Sequence, residues 1–432
     1  MTVLILFVCS SFMRADGEIL TFESAIHLAL SRNERALSAD QLVVAADARL
    51  TKARAFFLPN INVTGTYTRR PFEVVRIIGN SQIIIQSLNA LSGVVALNLT
   101  IFDAHSIPAL RQADLDKSSQ QFASADSKRQ LAFEVGNAFL TTLSVDQVLE
   151  ASQHRFDFAK QTLDAAKARY SAGLVSVNDV TRADLEYATA EMGIIQVKGQ
   201  VETTWLQLGY LLDDPTAIRK KLEIPDFLLK TTEDNPLTVE QLIAEAQTRR
   251  LDLNSLRWHA KAQRALILEP TLRWLPSLSL TGQYRYTNEA GLTGKNFNWN
   301  AGLTFSWAIF DGLTRNGDYS ERKALAYQAD LDVQAGERKV ELDVRDALVS
   351  LTNQRASLKL AMTTYDVAKR NAAETAELYK QGLSTVLQVA DANVRLFEAE
   401  VGFVQARYGL GIAYLNLEAA LGLDPFGKEP KL

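Results

Sequence analysis

At 432 residues, with 47% hydrophobic and 22% charged side chains, the chain has the makeup of a folding protein and excludes wholesale disorder. A formal net charge of −4 and the lack of a long basic run give no footing for a nucleic-acid partner. Cys9 is the single cysteine, which excludes a disulfide scaffold and leaves the fold to packing alone.

Thr2 to Phe12 is a short apolar run, too short to span a bilayer but fitting the core of a secretory signal, here placed at residues 1–17. No Lys or Arg precedes the run, and the cleavage candidate lies near Ala15. A second reading makes Cys9 a lipid acceptor, although Leu6-Phe7-Val8 lacks the small residues usual before one. After residue 20 nothing approaches 18 consecutive apolar residues, so no transmembrane helix is expected. A chain of this kind crosses a membrane only with strands.

The spacing predicts a helix over 20–57, opened by Thr21-x-Glu23 and stopped by Leu58-Pro59, because proline disfavours a helical residue before it. A strand over 59–70 follows, with Ile61, Val63, Gly65 and Tyr67 alternating with Asn62, Thr64, Thr66 and Thr68. A loop with Pro71 and Gly79 leads to a second strand over 93–103, carrying Val95, Leu97, Leu99 and Ile101 and ending at Phe102-Asp103. Then comes a long helix over 106–171, without proline after Pro108, with Leu131, Val135, Ala138, Thr142, Val145 and Leu149 in alternating four-and-three spacing, as in a coiled-coil seam. Gly173 interrupts it, and a helix over 176–212 completes a first unit at 18–213. A linker at 214–236 contains Pro215, Pro225 and Pro236.

The order then recurs over 237–425: a helix at 237–273, strands at 276–288 and 297–310, a long helix at 314–381 and a helix at 385–421, with a tail at 426–432. Leu20-Thr-Phe-Glu-Ser-Ala-Ile26 resembles Leu237-Thr-Val-Glu-Gln-Leu-Ile243, and the same step of 217 carries Leu58-Pro59 onto Leu275-Pro276, Gly65 onto Gly282 and Tyr67 onto Tyr284. Further on, Phe102-Asp103 answers Phe310-Asp311, Arg169-Tyr170-Ser-Ala-Gly173-Leu174 answers Leu378-Tyr379-Lys-Gln-Gly382-Leu383, and Asp214-Pro215 answers Asp424-Pro425. The matches imply a tandem duplication.

Helix lengths and strand count constrain the architecture. The stretch 106–171 extends about 100 Å at roughly 1.5 Å per residue, and helices 20–57 and 176–212 together about 110 Å, so the two short ones match the long one end to end. Four strands cannot close a barrel in lipid, where every backbone group must be paired and about eight strands are the minimum. Tyr67, Tyr284, Tyr286, Trp299 and Trp307 in or near the strands suit interfacial aromatics, while a soluble hairpin remains an alternative on the strand pattern alone.

The order helix, Leu-Pro, strand, strand, Phe-Asp, long helix, Tyr-x-x-Gly-Leu, helix, Asp-Pro, given twice, resembles the TolC-type outer membrane efflux protein family over essentially all of residues 20–425. The resemblance implies a mainly α fold with a β part: a long coiled-coil helical tunnel, and four strands per protomer contributing to a trimeric 12-stranded transmembrane β-barrel. It implies a homotrimer in contact with outer-membrane lipid, in the outer membrane of a Gram-negative-type bacterium, with a large periplasmic part. The implied role is the exit duct of a tripartite efflux or type I secretion system, docked through a periplasmic adaptor (membrane fusion) protein onto an inner-membrane transporter.

On the same resemblance, Gly173, Leu174, Gly382 and Leu383 are the periplasmic tips that contact the adaptor. Glycine ends a helix with positive φ and the leucine is left for a partner groove; the plainer reading is a C-cap with a hydrophobic contact. Asp179, Tyr379, Gln388 and Asp391 match positions around the periplasmic aperture or gate. Here the family's two acidic residues three apart are Gln388 and Asp391, and its basic residue after the second tip glycine is Ser384, so the closing latch must differ. Three copies of Asp391 form a carboxylate ring; ordinary solvated helix residues are the alternative. Phe102-Asp103 and Phe310-Asp311 are expected to cap strand-to-helix junctions.

No catalytic constellation emerges. His27, His105, His154 and His259 are scattered without metal-ligand spacing, and there is no P-loop or G-x-S-x-G elbow. The expectation is a passive conduit that is not an enzyme and needs no cofactor, with a soluble periplasmic coiled-coil scaffold as the reading from another class.

Overall fold

The computed structural model describes residues 19–78, 81–214, 220–225, 227–230, 238–290 and 294–430. The expected signal segment 1–17 with Cys9, the loop glycine Gly79, most of the linker and the last two tail residues lie outside the described residues. The chain is mostly helical. It divides into two compact units: one comprises Met1–Asp40, Ser124–Leu251 and Glu337–Leu432, the other Gln41–Ala123 and Asp252–Gly336.

The first half opens with β1 (Ile19–Leu20), α1 (Phe22–Arg32), α2 (Glu34–Ala55) and β2 (Asn60–Arg69). It continues with β3 (Val74–Ile78), β4 (Ser81–Gln86), β5 (Asn89–Phe102), α3 (Ser106–Ser171) and α4 (Val177–Leu212). After β6 (Lys221–Leu222), paired in parallel with β1, and α5 (Phe227–Lys230) come α6 (Val239–Arg249), α7 (Leu251–Leu266) and α8 (Leu268–Leu272). The chain ends with β7 (Ser277–Thr287), β8 (Phe297–Ser306), α9 (Thr314–Lys380) and α10 (Val386–Ala420).

Two stretches read as single helices are divided. Residues 20–57 break at Asn33 and residues 237–273 break at Arg250 and Ile267. Asn33 and Arg250 stand 217 positions apart, and each is a buried polar side chain with a distant partner. The Asn33 amide donates to the Leu211 carbonyl at 3.0 Å while its oxygen accepts from Arg35 N at 2.9 Å. The Arg250 guanidinium reaches Asp343 at 2.7 Å. A buried polar group must be paired, and here the pairing fixes where the helix bends. The loop expected after β2 also differs, because it carries the β3–β4 hairpin.

The core of the first unit gathers Phe22 and Ile26 of α1, Leu131, Val135, Phe139 and Leu140 of α3, Trp205 and Leu208 of α4, and Tyr408 and Leu415 of α10. Phe22 meets Phe139 edge to face at 5.7 Å. Gly136 permits this approach: a Cβ there would stand 3.1 Å from the Phe22 ring and 3.3 Å from Leu415. Arg129, held by Asp126 at 2.9 Å, donates to the Ala419 carbonyl at 2.9 Å and so closes the C-terminal end of α10.

The second unit contains a four-stranded antiparallel sheet in the order β2-β5-β7-β8. Residues directly opposite share a face. Ile61↔Leu97, Val63↔Val95 and Tyr67↔Leu91 continue into Val95↔Tyr284, Leu99↔Leu280, Leu280↔Leu303 and Tyr284↔Trp299, so one face is apolar across all four strands. Asn60, Asn62, Thr64, Thr66, Thr281, Gln283, Asn298 and Asn300 take the other. The apolar face is open: Val63 is 76% and Trp299 72% exposed. Among the described residues β2 and β8 each pair on one side only.

Two acids end the strand pairs. The Asp311 carboxylate accepts from Arg315 N at 3.1 Å and from its guanidinium at 2.7 Å, which holds the acid below the usual carboxylate range. The buried Arg315 stacks 4.1 Å over Trp274. Asp103 instead pairs with His105.

Candidate functional site

The two helical hairpins α3–α4 and α9–α10 end in matching turns. Gly173 and Gly382 adopt φ of +74° and +78°, a conformation that only glycine enters without strain. Leu174 N donates to the Arg169 carbonyl and Gly173 N to that of Tyr170, both at 2.9 Å; Leu383 N to Leu378 and Gly382 N to Tyr379 repeat the pattern. This double bond satisfies the carbonyls a helix leaves free at its end. Both leucines then project into solvent, 74% and 72% exposed.

The next helices restart with reciprocal caps. Ser176 Oγ accepts from Asp179 N while the Asp179 carboxylate accepts from Ser176 N at 3.1 Å and from its hydroxyl at 2.9 Å. Thr385 does the same with Gln388, whose amide oxygen accepts from Thr385 N and Ser384 Oγ, each at 2.9 Å. Asp179 and Gln388 thus occupy equivalent places, three residues into their helices, and their side chains are engaged by the backbone.

Tyr379 turns inward. Its ring is 8% exposed and packs with Leu163, Ala166, Ala183, Val386 and Val389. Arg169 of the first hairpin lies over it and donates to its carbonyl. Asp391 faces out and pairs with Arg395 one turn on, at 2.9 Å, which pushes the guanidinium pKa up through that hydrogen bond. Further from the turns, Arg155 of α3 binds Glu186 of α4 at 2.7 Å and stacks 5.0 Å over Phe397 of α10.

The sequence assigns no role in advance to Arg169, Arg155 or Arg395. The four-residue step from Asp391 to Arg395 on a helix is a pairing signal. Arg169 belongs to the repeat motif Arg169-Tyr170-Ser-Ala-Gly173-Leu174, near a helix end where a cation is favoured. For Arg155 the sequence carries no such sign.

Among the described residues no group of His, Cys, Asp and Glu is placed to hold a metal ion, and no helix is long and apolar enough to cross a membrane.

The profile of the family described as "Outer membrane efflux protein" matches residues 25–212 and again 242–423. The chain belongs to that family. Among its relatives in the outer membrane efflux protein family, outer membrane protein TolC of Escherichia coli is 24% identical over 393 residues, covering 88% of this chain and 77% of that one. Nodulation protein T of Rhizobium leguminosarum is 22% identical over 419 residues, covering 94% and 86%. The fold is that of solved outer membrane channels: the Campylobacter jejuni CmeC channel superposes with a TM-score of 0.80 at 16% identity, over 95% of this chain and 87% of that one. The relatives that match are channel and efflux proteins, not enzymes.

Proposed function

We propose that three copies, the number the family resemblance implies, close their sheets into a twelve-stranded barrel in the outer membrane, and that the paired helical hairpins form a periplasmic duct. The observation that carries this is the four-stranded sheet with one apolar face open across all four strands, one polar face, and two edges unpaired among the described residues. In water such a face is a liability and such edges invite aggregation. In lipid the face is matched, provided that other copies pair the edges.

The helices support the same assembly. Exposed apolar side chains form one stripe on α4 (Val177, Leu185, Met192, Ile195) and another on α9 (Leu342, Val349, Leu360, Val367). Two unlike stripes joined between copies make a head-to-tail contact, the kind that forms a ring when its rotation closes. The family profile starts at residues 25 and 242, again 217 apart, which supports a duplicated chain.

The duct serves a tripartite efflux or type I secretion system. The exposed Leu174 and Leu383 meet the periplasmic adaptor, the residues around Asp179, Tyr379, Gln388 and Asp391 form the aperture, and an inner-membrane transporter supplies the energy. The protein is expected to fractionate with the outer membrane and, once solubilised in detergent, to run as a heat-sensitive oligomer and to give steps of conductance in planar bilayers. A water-soluble monomer without conductance refutes the reading and points to a soluble scaffold.

A further inference from the structure

The β3–β4 hairpin forms a two-stranded sheet of its own, apart from the four-stranded one. It is grafted on the distal end of the β2–β5 ladder, whose last rungs are Arg69↔Asn89 and a bond from Arg70 N to the Leu88 carbonyl at 2.8 Å. Its base is clamped. The Glu289 carboxylate, from the connection after β7, accepts from Ser87 N at 2.7 Å and from the Arg70 guanidinium, which holds it below the usual carboxylate range. Asn288 adds reciprocal bonds, donating to the Asn89 carbonyl at 2.8 Å and accepting from Leu91 N at 2.7 Å. The foot of the hairpin is therefore tied to the end of the four-stranded sheet.

Its faces are unsuited to water. Val75↔Ile84 and Ile77↔Gln82 put Val75, Ile77 and Ile84 on one side, exposed at 43%, 69% and 46%, and Phe72, just before β3, is 69% exposed. Among the described residues β3 and β4 pair only with each other. A lone two-stranded hairpin is marginal in water, so three exposed aliphatics on one face require cover.

The position of the hairpin says what that cover is. The strand it extends, β2, is an edge of the four-stranded sheet. In the barrel proposed above, that edge meets β8 of the next copy, so the hairpin stands over the seam between copies. Lipid fits less well. The aromatic rung of Tyr67, Tyr284, Tyr286, Phe297 and Trp299 comes first, then the polar rung of Arg69, Arg70, Asn89, Asn288 and Glu289, and the hairpin lies beyond both. Aromatics mark the membrane interface in barrels, which puts the hairpin past the hydrocarbon.

We infer that the β3–β4 hairpin is a clasp between copies of this chain: its Val75–Ile77–Ile84 face packs on the rim of the neighbouring copy and locks the seam. The inference rests on the barrel reading. A second copy held by barrel closure is at high effective concentration, so a small apolar contact suffices.

The test places a benzophenone photo-crosslinking residue at Ile77 in the full-length chain, irradiated in outer-membrane vesicles. The expected product is a covalent dimer and trimer of the chain. In parallel, Ile77→Asp is expected to lose the SDS-resistant oligomer band at a lower temperature than wild type. Adducts to lipid or to another protein, or no adduct at all, overturn the clasp, as does an Ile77→Asp oligomer as heat-resistant as wild type. The unheated wild-type gel separates the two failures: no oligomer there sinks the barrel reading, whereas an oligomer without the crosslink sinks only the clasp.

Discussion

The guanidinium of Arg169 lies 4.1 Å over the ring of Tyr379 and donates to the Tyr379 carbonyl at 2.9 Å. One side chain of the first hairpin thereby closes the helix end of the second, through the charge, the ring face and the free carbonyl together. We predict that Arg169→Ala loosens the tip, removing on the order of 1–2 kcal/mol of contact, and raises conductance or its fluctuation in planar bilayers. Arg169→Lys keeps the charge but loses the flat stack and falls between the two. Wild-type conductance in Arg169→Ala means that the two tips do not depend on this contact.

Asp391 and Arg395 form one exposed pair per chain, so three copies bring three charges of each sign rather than a bare carboxylate ring. The expected wild-type channel discriminates weakly between cations and anions. Asp391→Ala shifts selectivity toward anions and Arg395→Ala toward cations, read as reversal potentials of opposite sign in a salt gradient. If both variants leave the reversal potential where it was, neither residue faces the bore.

The exposed leucines at the two turns are predicted to serve docking and not conduction. Leu174→Asp with Leu383→Asp is expected to abolish export in cells that carry the cognate pump and adaptor, while purified channels conduct as wild type. Their high exposure means little folding cost. Full export by the double variant removes these residues from the adaptor contact.

How much was legible follows from how local each determinant is. The sheet strands announced themselves because Ile61, Val63 and Tyr67 alternate with Asn62, Thr64 and Thr66, and the tips because Gly173 and Gly382 end proline-free runs. The β3–β4 hairpin did not, since Val74-Val75, Ile77-Ile78 and Ile83-Ile84-Ile85 set apolar residues side by side and erase the two-residue period. The break at Asn33 is invisible in Ser31-Arg32-Asn33-Glu34-Arg35, a run of polar residues, because its cause is a carbonyl 178 positions away. Arg169 depends likewise on a residue 210 positions on. Contacts of that separation leave no trace in spacing.

Asn33 makes a falsifiable case of this. Asn33→Ala leaves the buried Leu211 carbonyl without its partner, at a cost of about 1–3 kcal/mol, and removes the bond to the more exposed Arg35 N, which water can replace. Thermal unfolding followed by circular dichroism should begin several degrees lower, with the oligomer still forming. An unchanged transition shows that water or a shifted helix end replaces both bonds.

Glu418 on α10 is buried with Oε2 unpartnered, and burial, with Asp424 nearby, pushes its carboxyl pKa up to about 7 although the Tyr414 hydroxyl pulls the other way. Tyr414 is itself pushed up to about 12 by burial and by that carboxylate. The raised acid fixes the sign of the pH dependence. Between the ordinary value of 4.5 and about 7 the folded protein keeps a proton that the unfolded chain has released, so stability falls as pH rises across that window and is flat above it. The loss is on the order of 3 kcal/mol. Glu418→Gln carries no charge to bury, so it should unfold at a higher temperature than wild type at pH 8 and at the same temperature at pH 4. Equal melting temperatures for the two proteins at pH 8 would show that the carboxylate finds compensation in the folded state.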